Sequence, residues 1–169
     1  MRIAIVADCY PPMRSSAAVM LEHLAKEFSV QGHQPMVLVP DPTLNERYHH
    51  AVENGVDVFR LKAPKTKDIN YARRILAELT MPYAMLHGLR KSHFLDSKLD
   101  GVVWYSPSIF HGPLIRRLKN SSNCPSYLIL RDIFPEWAVD MGLMSRGLPY
   151  HFLKLIEAYQ YSVADIIGI

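Results

Sequence analysis

The sequence predicts an α/β fold: a Rossmann-like, doubly wound, mainly parallel sheet of about six strands with helices on both faces. Two observations lead to this class. Apolar runs of strand length alternate with segments whose apolar residues recur at helical spacing. Strands that alternate with helices form βαβ units, and such units build a parallel sheet. A length of 169 residues suits a single domain over 1-169, with enough chain for a substantial core.

Each predicted element rests on a run of residues and on the signals at its ends. Ser15 or Ser16 would cap the first helix, and Gly32 would close it. Pro82 is expected to kink or split the long second helix, because proline lacks a backbone donor and clashes with the preceding turn. Residues 43–55 are polar and are predicted to form a loop. The strands are predicted at 2–7, 36–39, 56–61, 101–104, 125–130 and 164–169, and the helices at 15–32, 69–94, 106–119, 135–141 and 149–163.

The composition argues against several classes of protein. A formal net charge of +3 is too small to imply a nucleic acid partner. The sequence lacks the pattern of a secretory signal, and no apolar stretch approaches the length of a membrane span, so we expect a cytoplasmic protein. From Arg60 to Lys98, nine lysine or arginine residues stand against three acidic ones. This segment either faces phosphates or an anionic membrane or forms an ordinary solvated helix face.

The loop after the first strand is a candidate phosphate site. It carries neither the glycine fingerprint of a dinucleotide-binding loop nor the pattern of a P-loop. It offers instead a Pro-Pro turn after Tyr10, a cation at Arg14, and Ser15 and Ser16 at a predicted helix start. Free N–H groups and the helix dipole attract phosphate there. The alternative is that the serines only cap the helix.

A second candidate site follows the fifth predicted strand, where an apolar run leads into Arg131 and Asp132 and then a helix start at Pro135 and Glu136. Ligands of open α/β sheets bind beyond the carboxyl ends of the strands. Asp132 is therefore a candidate catalytic group and Glu136 a candidate binder of hydroxyls. The alternative is that Asp132 caps the helix while Arg131 pairs with Glu136.

Ser106 and His111 follow the fourth predicted strand, at another position on the same rim. No nucleophile elbow accompanies them, so this spacing does not indicate a catalytic triad. The sequence contains no cluster of residues with metal-ligand spacing, and its two cysteines, Cys9 and Cys124, fit no disulfide framework. We therefore expect neither a metal nor a cofactor.

Taken together, these loops resemble the N-terminal half of a GT-B glycosyltransferase. The resemblance is to the retaining enzymes of family 4 that build bacterial O-antigen (lipopolysaccharide) or capsule, including the N-acetylfucosaminyl transferase branch. It covers essentially the whole chain, and the segment from Arg131 to Glu136 is its most specific part. The matching segments are 10–12 with the small pair after them, 73–79, 105–108, 131–136, 141–143 and 164–168.

The resemblance implies a glycosyltransferase that moves a sugar from a UDP-sugar to a lipid-linked saccharide with retention. The chain would be the acceptor-binding domain, inactive without a C-terminal donor domain. Asp132 would assist the acceptor hydroxyl, which requires hydrogen-bond reach. The donor diphosphate would be stabilised by Arg14, Ser15 and Ser16. The acceptor would be bound by Tyr10, Ser106, His111, Arg131 and Glu136. The basic helix over 73-91 would rest on the inner face of the cell membrane.

Two departures from the family pattern bear on these roles. Ser15 and Ser16 stand where the family often has glycines, and their side chains change how closely a phosphate can approach. Arg131 and Asp132 stand where many relatives have a histidine. Two other classes of protein compete with this interpretation. One is a noncatalytic module that binds a nucleotide or saccharide; the other is a UDP-sugar epimerase, which the missing glycine fingerprint disfavours.

Overall fold

The computed structural model describes residues 1–71 and 73–169 and contains one seven-stranded sheet with helices on both faces. A short 3-10 helix, Phe94–Asp96, precedes the fifth strand. The strands are β1 (Arg2–Val6), β2 (Gln34–Asp41), β3 (Tyr48–Glu53), β4 (Val56–Lys62), β5 (Gly101–Ser106), β6 (Ser126–Leu130) and β7 (Ile166–Gly168). The helices are α1 (Ser16–Val30), α2 (Tyr71–Lys91), α3 (Gly112–Ser122), α4 (Glu136–Asp140) and α5 (Leu148–Val163).

The strand order is β3-β4-β2-β1-β5-β6-β7, and every neighbouring pair is parallel except β3 with β4. β1 therefore lies in the interior of the sheet, and the chain moves outward from it in both directions. This arrangement confirms the predicted α/β, Rossmann-like class. It also creates a switch point between β1 and β5, where open α/β sheets form their ligand crevice.

The two faces of the sheet bury separate hydrophobic cores. On one face, Ile5 and Val37 pack against Leu21 of α1. On the other, Trp104 packs with residues of α2, α3 and α5, including Met85. β1 is buried on both sides, so its sequence is apolar without alternation. None of the described helices is long and apolar enough to cross a membrane.

The prediction of a loop over 43–55 was wrong for Tyr48–Glu53, which forms β3, and the sheet has seven strands rather than about six. β3 pairs antiparallel with β4 through the turn at Asn54 and Gly55, whose φ angles are 52° and 80°. An Asn-Gly pair with both residues at positive φ is the preferred two-residue hairpin turn. The polar composition concealed the strand, because β3 is an edge strand with largely exposed side chains.

Two helix predictions also require correction. α2 continues through Pro82 as one helix, so the predicted split was wrong, while a kink there stays a prediction. α3 begins at Gly112, with Pro113 in its first turn, whereas the sequence predicted a start at Ser106. β5 extends to Ser106, and Ile109 and Phe110 of the connecting loop are buried in a small cluster with Leu153. Burial of these two side chains holds the loop against α5 before the helix starts.

The hairpin turn gives a stability prediction. Gly55→Ala places a Cβ at a φ of 80°, and we expect it to lower the free energy of unfolding by about 1–2 kcal/mol. No atom lies within 4 Å of that Cβ, so the loss would come from the backbone alone. Gly101→Ala, whose Cβ meets only ordinary contacts, is the control and should change stability by less than about 1 kcal/mol. Urea denaturation measures both; equal effects would contradict the turn assignment.

Candidate functional site

The carboxyl ends of β1, β5 and β6 lie side by side and bring three loops to one edge of the sheet. Asp8 follows β1, the segment from Pro107 to His111 follows β5, and Arg131 and Asp132 follow β6. The β1 and β5 loops flank the switch point. The structure thus brings the loops of the sequence-predicted rim together, and Asp8 lies at the start of one of them.

A hydrogen bond between Asp8 and His111 spans the switch point. His111 Nε2 lies 2.7 Å from Asp8 Oδ1. The imidazole is completely buried, whereas 23% of the Asp8 side chain remains exposed. His111 Nδ1 is one of three buried side-chain nitrogen or oxygen atoms without a partner within the described residues, the others being Trp104 Nε1 and Gln160 Oε1. The sequence predicted His111 as an acceptor-binding residue, but its ring contacts Asp8 beneath the rim.

Helix α2 contributes an ion pair to the same region. Arg74 Nε donates to Glu78 Oε1 at 2.8 Å, one helical turn away. Burial raises the pKa of Glu78 above its ordinary value, against the opposing effect of Arg74, and the charge of Asp8 raises it further. Pro82 has no N–H to bond the Glu78 carbonyl, so this turn of the helix lacks one backbone hydrogen bond. Because the charge of Asp8 acts on its pKa, Glu78 belongs to the electrostatic environment of Asp8.

Arg131 and Asp132 are exposed at the end of β6, where they face solvent. Tyr105, on neighbouring β5, is half-buried; burial raises its pKa, and the charge of Asp132 raises it further while Arg131 lowers it. The Asp8 charge acts on the same phenol more weakly. The Tyr105 hydroxyl thus lies within the electrostatic range of both carboxylates.

Ser15 in the β1 loop caps helix α1; the sequence had left open whether it caps the helix or contacts a phosphate. Ser15 Oγ accepts from the N–H of Ala18 at 3.1 Å and lies 3.7 Å from Cys9 Sγ, to which it donates. Ser16 is the first residue of α1, and both it and Arg14 are exposed. The cap thus occupies the Ser15 hydroxyl and leaves Arg14 and Ser16 on the surface.

Tyr10 is buried beneath this loop, with only 4% of its surface exposed. Burial raises the pKa of its hydroxyl to about 12. Arg60 of β4 reaches the loop from the side, donating to the Pro11 carbonyl at 2.5 Å and to Glu53 at 3.0 Å. Tyr10 packs in the α1-side core, so it supports the loop from below.

Glu136 is held by α5. Its two carboxylate oxygens accept from the Tyr150 hydroxyl at 2.9 and 3.0 Å, and Lys154 lies 3.0 Å from Oε1. The hydrogen bond from Lys154 and then that from Tyr150 lower the pKa of Glu136. The alternative in which Asp132 caps α4 was wrong, because Pro135 occupies the N-cap position and no side chain caps it.

Lys154 also contacts the buried carboxylate of Glu157, which in turn accepts from the Tyr161 hydroxyl at 3.0 Å. Contact with Glu157 is the main reason that the pKa of Lys154 is raised. A chain of charged and polar groups therefore runs along α5 and ends at Glu136. It ties the start of α4, and with it the loop that carries Asp132, to the body of the domain.

Ser106 is completely buried at the end of β5. Its hydroxyl donates to the Ser108 carbonyl at 3.3 Å and accepts from Gln160 Nε2 at 3.3 Å. Ser106 therefore stabilises the β5 loop from within. The described residues contain no group of three or more His, Cys, Asp or Glu side chains that could hold a metal ion.

Sequence reasoning assigned no role to Asp8, Glu78 or Tyr105. Asp8 had a signal, since it is the first polar residue after a fully apolar strand. The only sequence signal for Tyr105 was its place at the end of a predicted strand. Glu78 carried no such signal, because a Glu four residues after an Arg is typical of any solvated helix face.

No protein-family model matches the chain, and no curated protein matches it in sequence. Among solved structures it is similar to the catalytic domain of starch synthase IV from Arabidopsis thaliana bound to ADP and acarbose, with a TM-score of 0.56 and 12% identity. The match covers 77% of this chain and 34% of that one, so the chain spans about a third of its structural neighbour. At this identity the likeness concerns the fold alone, and it supports the GT-B type of fold that the sequence predicts.

The raised pKa of Glu78 gives a pH-dependent stability prediction. The folded chain holds this proton more tightly than the unfolded chain, so the glutamate's contribution to the free energy of unfolding falls as pH rises from 4.5 through the folded pKa. We expect Glu78→Gln to gain stability relative to the wild type across that window, as measured by urea denaturation at a series of pH values.

Glu46→Gln, at an exposed position, is the matched control for the loss of one negative charge. A stability difference between wild type and Glu78→Gln that stays constant with pH, or shrinks as pH rises, would contradict the assignment of Glu78 as a group destabilised by burial.

Proposed function

We propose that this chain is the acceptor-binding domain of a retaining GT-B glycosyltransferase of the family 4 type. In this proposal a second, donor-binding domain supplies the UDP-sugar, and a hydroxyl of a lipid-linked saccharide receives the sugar. The observation that carries the proposal is the rim of Asp8, Tyr105, Arg131 and Asp132 at the crevice of a fold shared with a starch synthase catalytic domain. That domain was solved with ADP and acarbose, a nucleotide and a saccharide analogue.

Asp132 is the proposed catalytic group. Its carboxylate is exposed on the rim beside the Arg131 cation, and it does not cap helix α4. A carboxylate so placed accepts a hydrogen bond from the attacking hydroxyl and orients it, an acid–base role that needs hydrogen-bond reach to the substrate. Arg131 binds the acceptor beside it. Glu136 acts on the acceptor only through the position of α4, since its oxygens are bonded to Tyr150 and Lys154.

Arg14 is the proposed contact for the donor diphosphate. It is exposed at the start of α1, where free backbone N–H groups and a cation stabilise negative charge on a leaving group. Ser16 lies beside it in the first turn of the helix. Ser15 contributes by holding the helix start in place, because its hydroxyl serves as the cap.

We also propose a peripheral membrane contact through 73-91. Helix α2 exposes Leu76 and Tyr83 at 63% and 62%, together with the cations Arg90 and Lys91 in its last turn. Beside it lies an apolar groove of about 280 Å³ lined by residues of α2, α5 and the start of α3. Apolar side chains flanked by cations suit the surface of an anionic bilayer, which would bring a lipid-linked acceptor to the rim.

The catalytic proposal is tested by Asp132→Ala in a protein that carries this chain with its donor-binding domain. Sugar transfer to a lipid-linked acceptor should fall by about a hundredfold or more, since general acid–base groups contribute about 10²–10⁴. The thermal midpoint should stay near that of the wild type because Asp132 is exposed. Asp140→Ala, at an exposed aspartate of α4, is the matched control and should retain transfer. A large loss of stability with retained turnover would contradict the proposal.

The 169-residue chain alone should bind the acceptor weakly and transfer no sugar. Turnover by this chain alone would overturn the division into donor and acceptor domains. Acceptor binding by the chain, with no transfer in the longer protein either, would support the noncatalytic binding module instead.

The membrane proposal is tested by sedimentation with vesicles of phosphatidylglycerol and phosphatidylcholine. Arg90→Glu and Lys91→Glu should each weaken binding by about tenfold or more, since a basic residue near an anionic surface contributes about 1 kcal/mol and the reversal adds repulsion. Added salt should weaken binding as well. Lys26→Glu on α1, across the sheet from α2, is the control. Equal binding to purely zwitterionic vesicles would contradict the electrostatic contact.

A further inference from the structure

We propose that Asp8 is a second acceptor-binding carboxylate and that His111 is its positioning residue. The inference rests on the proposed function, since the ligand it names is a hydroxyl group of the acceptor sugar. Neither the resemblance to family 4 enzymes nor the structural similarity to the starch synthase domain assigns a role to Asp8. The hydrogen bond at the switch point, the burial of the imidazole and the charges around Asp8 support these two roles.

Only one of the two oxygens of the Asp8 carboxylate is hydrogen-bonded within the described residues. Oδ1 accepts the hydrogen bond from His111, and within the described residues this is the one side-chain hydrogen bond that Asp8 makes. Oδ2 is therefore available, on a side chain that is 23% exposed at the crevice. A carboxylate oxygen with one free face is a strong acceptor for a neutral O–H donor, because charge-assisted hydrogen bonds are the stronger kind.

Apart from the bond to Asp8, His111 makes no side-chain hydrogen bond within the described residues. Its ring is completely buried, and Nδ1 has no partner within the described residues. The Nε2–H tautomer suits this site, because the other tautomer would bury an unpaired N–H and place two lone pairs against each other. The next residue, Gly112, packs so closely on Tyr159 of α5 that a Cβ there would lie 2.9 Å from its ring. This close packing limits movement of the backbone at 111–112 toward α5, and the imidazole of His111 contacts Asp8 from this position.

The charges around Asp8 select the class of ligand. Glu78 lies close enough for the Asp8 charge to raise its pKa, and the Asp132 charge acts on the same Tyr105 phenol as Asp8. Within the described residues, Glu78 pairs with Arg74 and Asp132 lies next to Arg131, whereas no lysine or arginine pairs with Asp8, so a phosphate would meet repulsion at Asp8. A neutral, hydroxyl-bearing ligand such as the acceptor sugar would instead donate to Asp8. The anionic donor would lie toward Arg14, on the α1 side.

The experiment titrates the 169-residue chain with a short-chain lipid-linked sugar, a hexosamine on farnesyl diphosphate, and measures affinity by NMR. Asp8→Asn, which keeps an acceptor for His111 but removes the charge, should weaken binding about tenfold. His111→Phe should also weaken it, and His111→Gln, which restores an N–H donor, should recover part of the loss. The ¹⁵N signals of the His111 ring should report the Nε2–H tautomer in the wild type.

The chain offers a matched control. His50 Nε2 and Asp57 Oδ1 form a pair with the same 2.7 Å distance, but at an exposed position on β3 and β4. Asp57→Asn and His50→Gln should leave affinity unchanged. The acceptor role of Asp8 is overturned if the wild type binds the probe and Asp8→Asn binds equally well, and the proposed function then still stands. The positioning role is overturned if His111→Gln and His111→Phe lose affinity equally, or if Nδ1 carries the proton. A wild-type chain that does not bind the probe contradicts the proposed function and, with it, the acceptor role.

Discussion

The fold depends on the burial of β1 between β2 and β5. A strand covered on both faces must be apolar on both, and Ile3 to Ala7 meets that requirement without a polar residue. Because the chain places β2 and β4 on one side of β1 and then crosses over to place β5 on the other side, the sheet opens a crevice at the end of β1. The first residue that can be polar there is Asp8. The central strand thus sets both the core and the position of the candidate site.

The three loops at this edge are held by different means. The β1 loop is held by the Ser15 cap and by Arg60, and the β5 loop by the buried hydroxyl of Ser106. The β6 loop depends on ion pairs and hydrogen bonds that join Glu136 to α5. In each case the side chains that hold the loop lie below the rim or beside it. The exposed groups Arg14, Arg131 and Asp132 are therefore left free to meet a ligand.

Much of the fold was predictable from local patterns. The interior strands and the helices α1 and α5 follow from apolar periodicity and from helix-end residues, because these elements bury one stripe or both faces in a regular way. β3 was missed, since an exposed edge strand has no apolar pattern, although the Asn54-Gly55 pair marked its hairpin turn. The start of α3 was misplaced, because Ile109 and Phe110 are buried in a loop and imitate a helical stripe.

The sequence by itself determined the α/β class, the edge of the sheet where polar residues gather, and the candidate residues Arg131 and Asp132. These follow from patterns formed by residues that are close together in the sequence. Only the tertiary structure decided that His111 is buried against Asp8, that Glu136 bonds to α5, and that Glu78 of α2 lies within the electrostatic reach of Asp8. Asp8 and His111 are 103 positions apart, and no local pattern records a hydrogen bond that exists only once two crossovers have placed β5 beside β1.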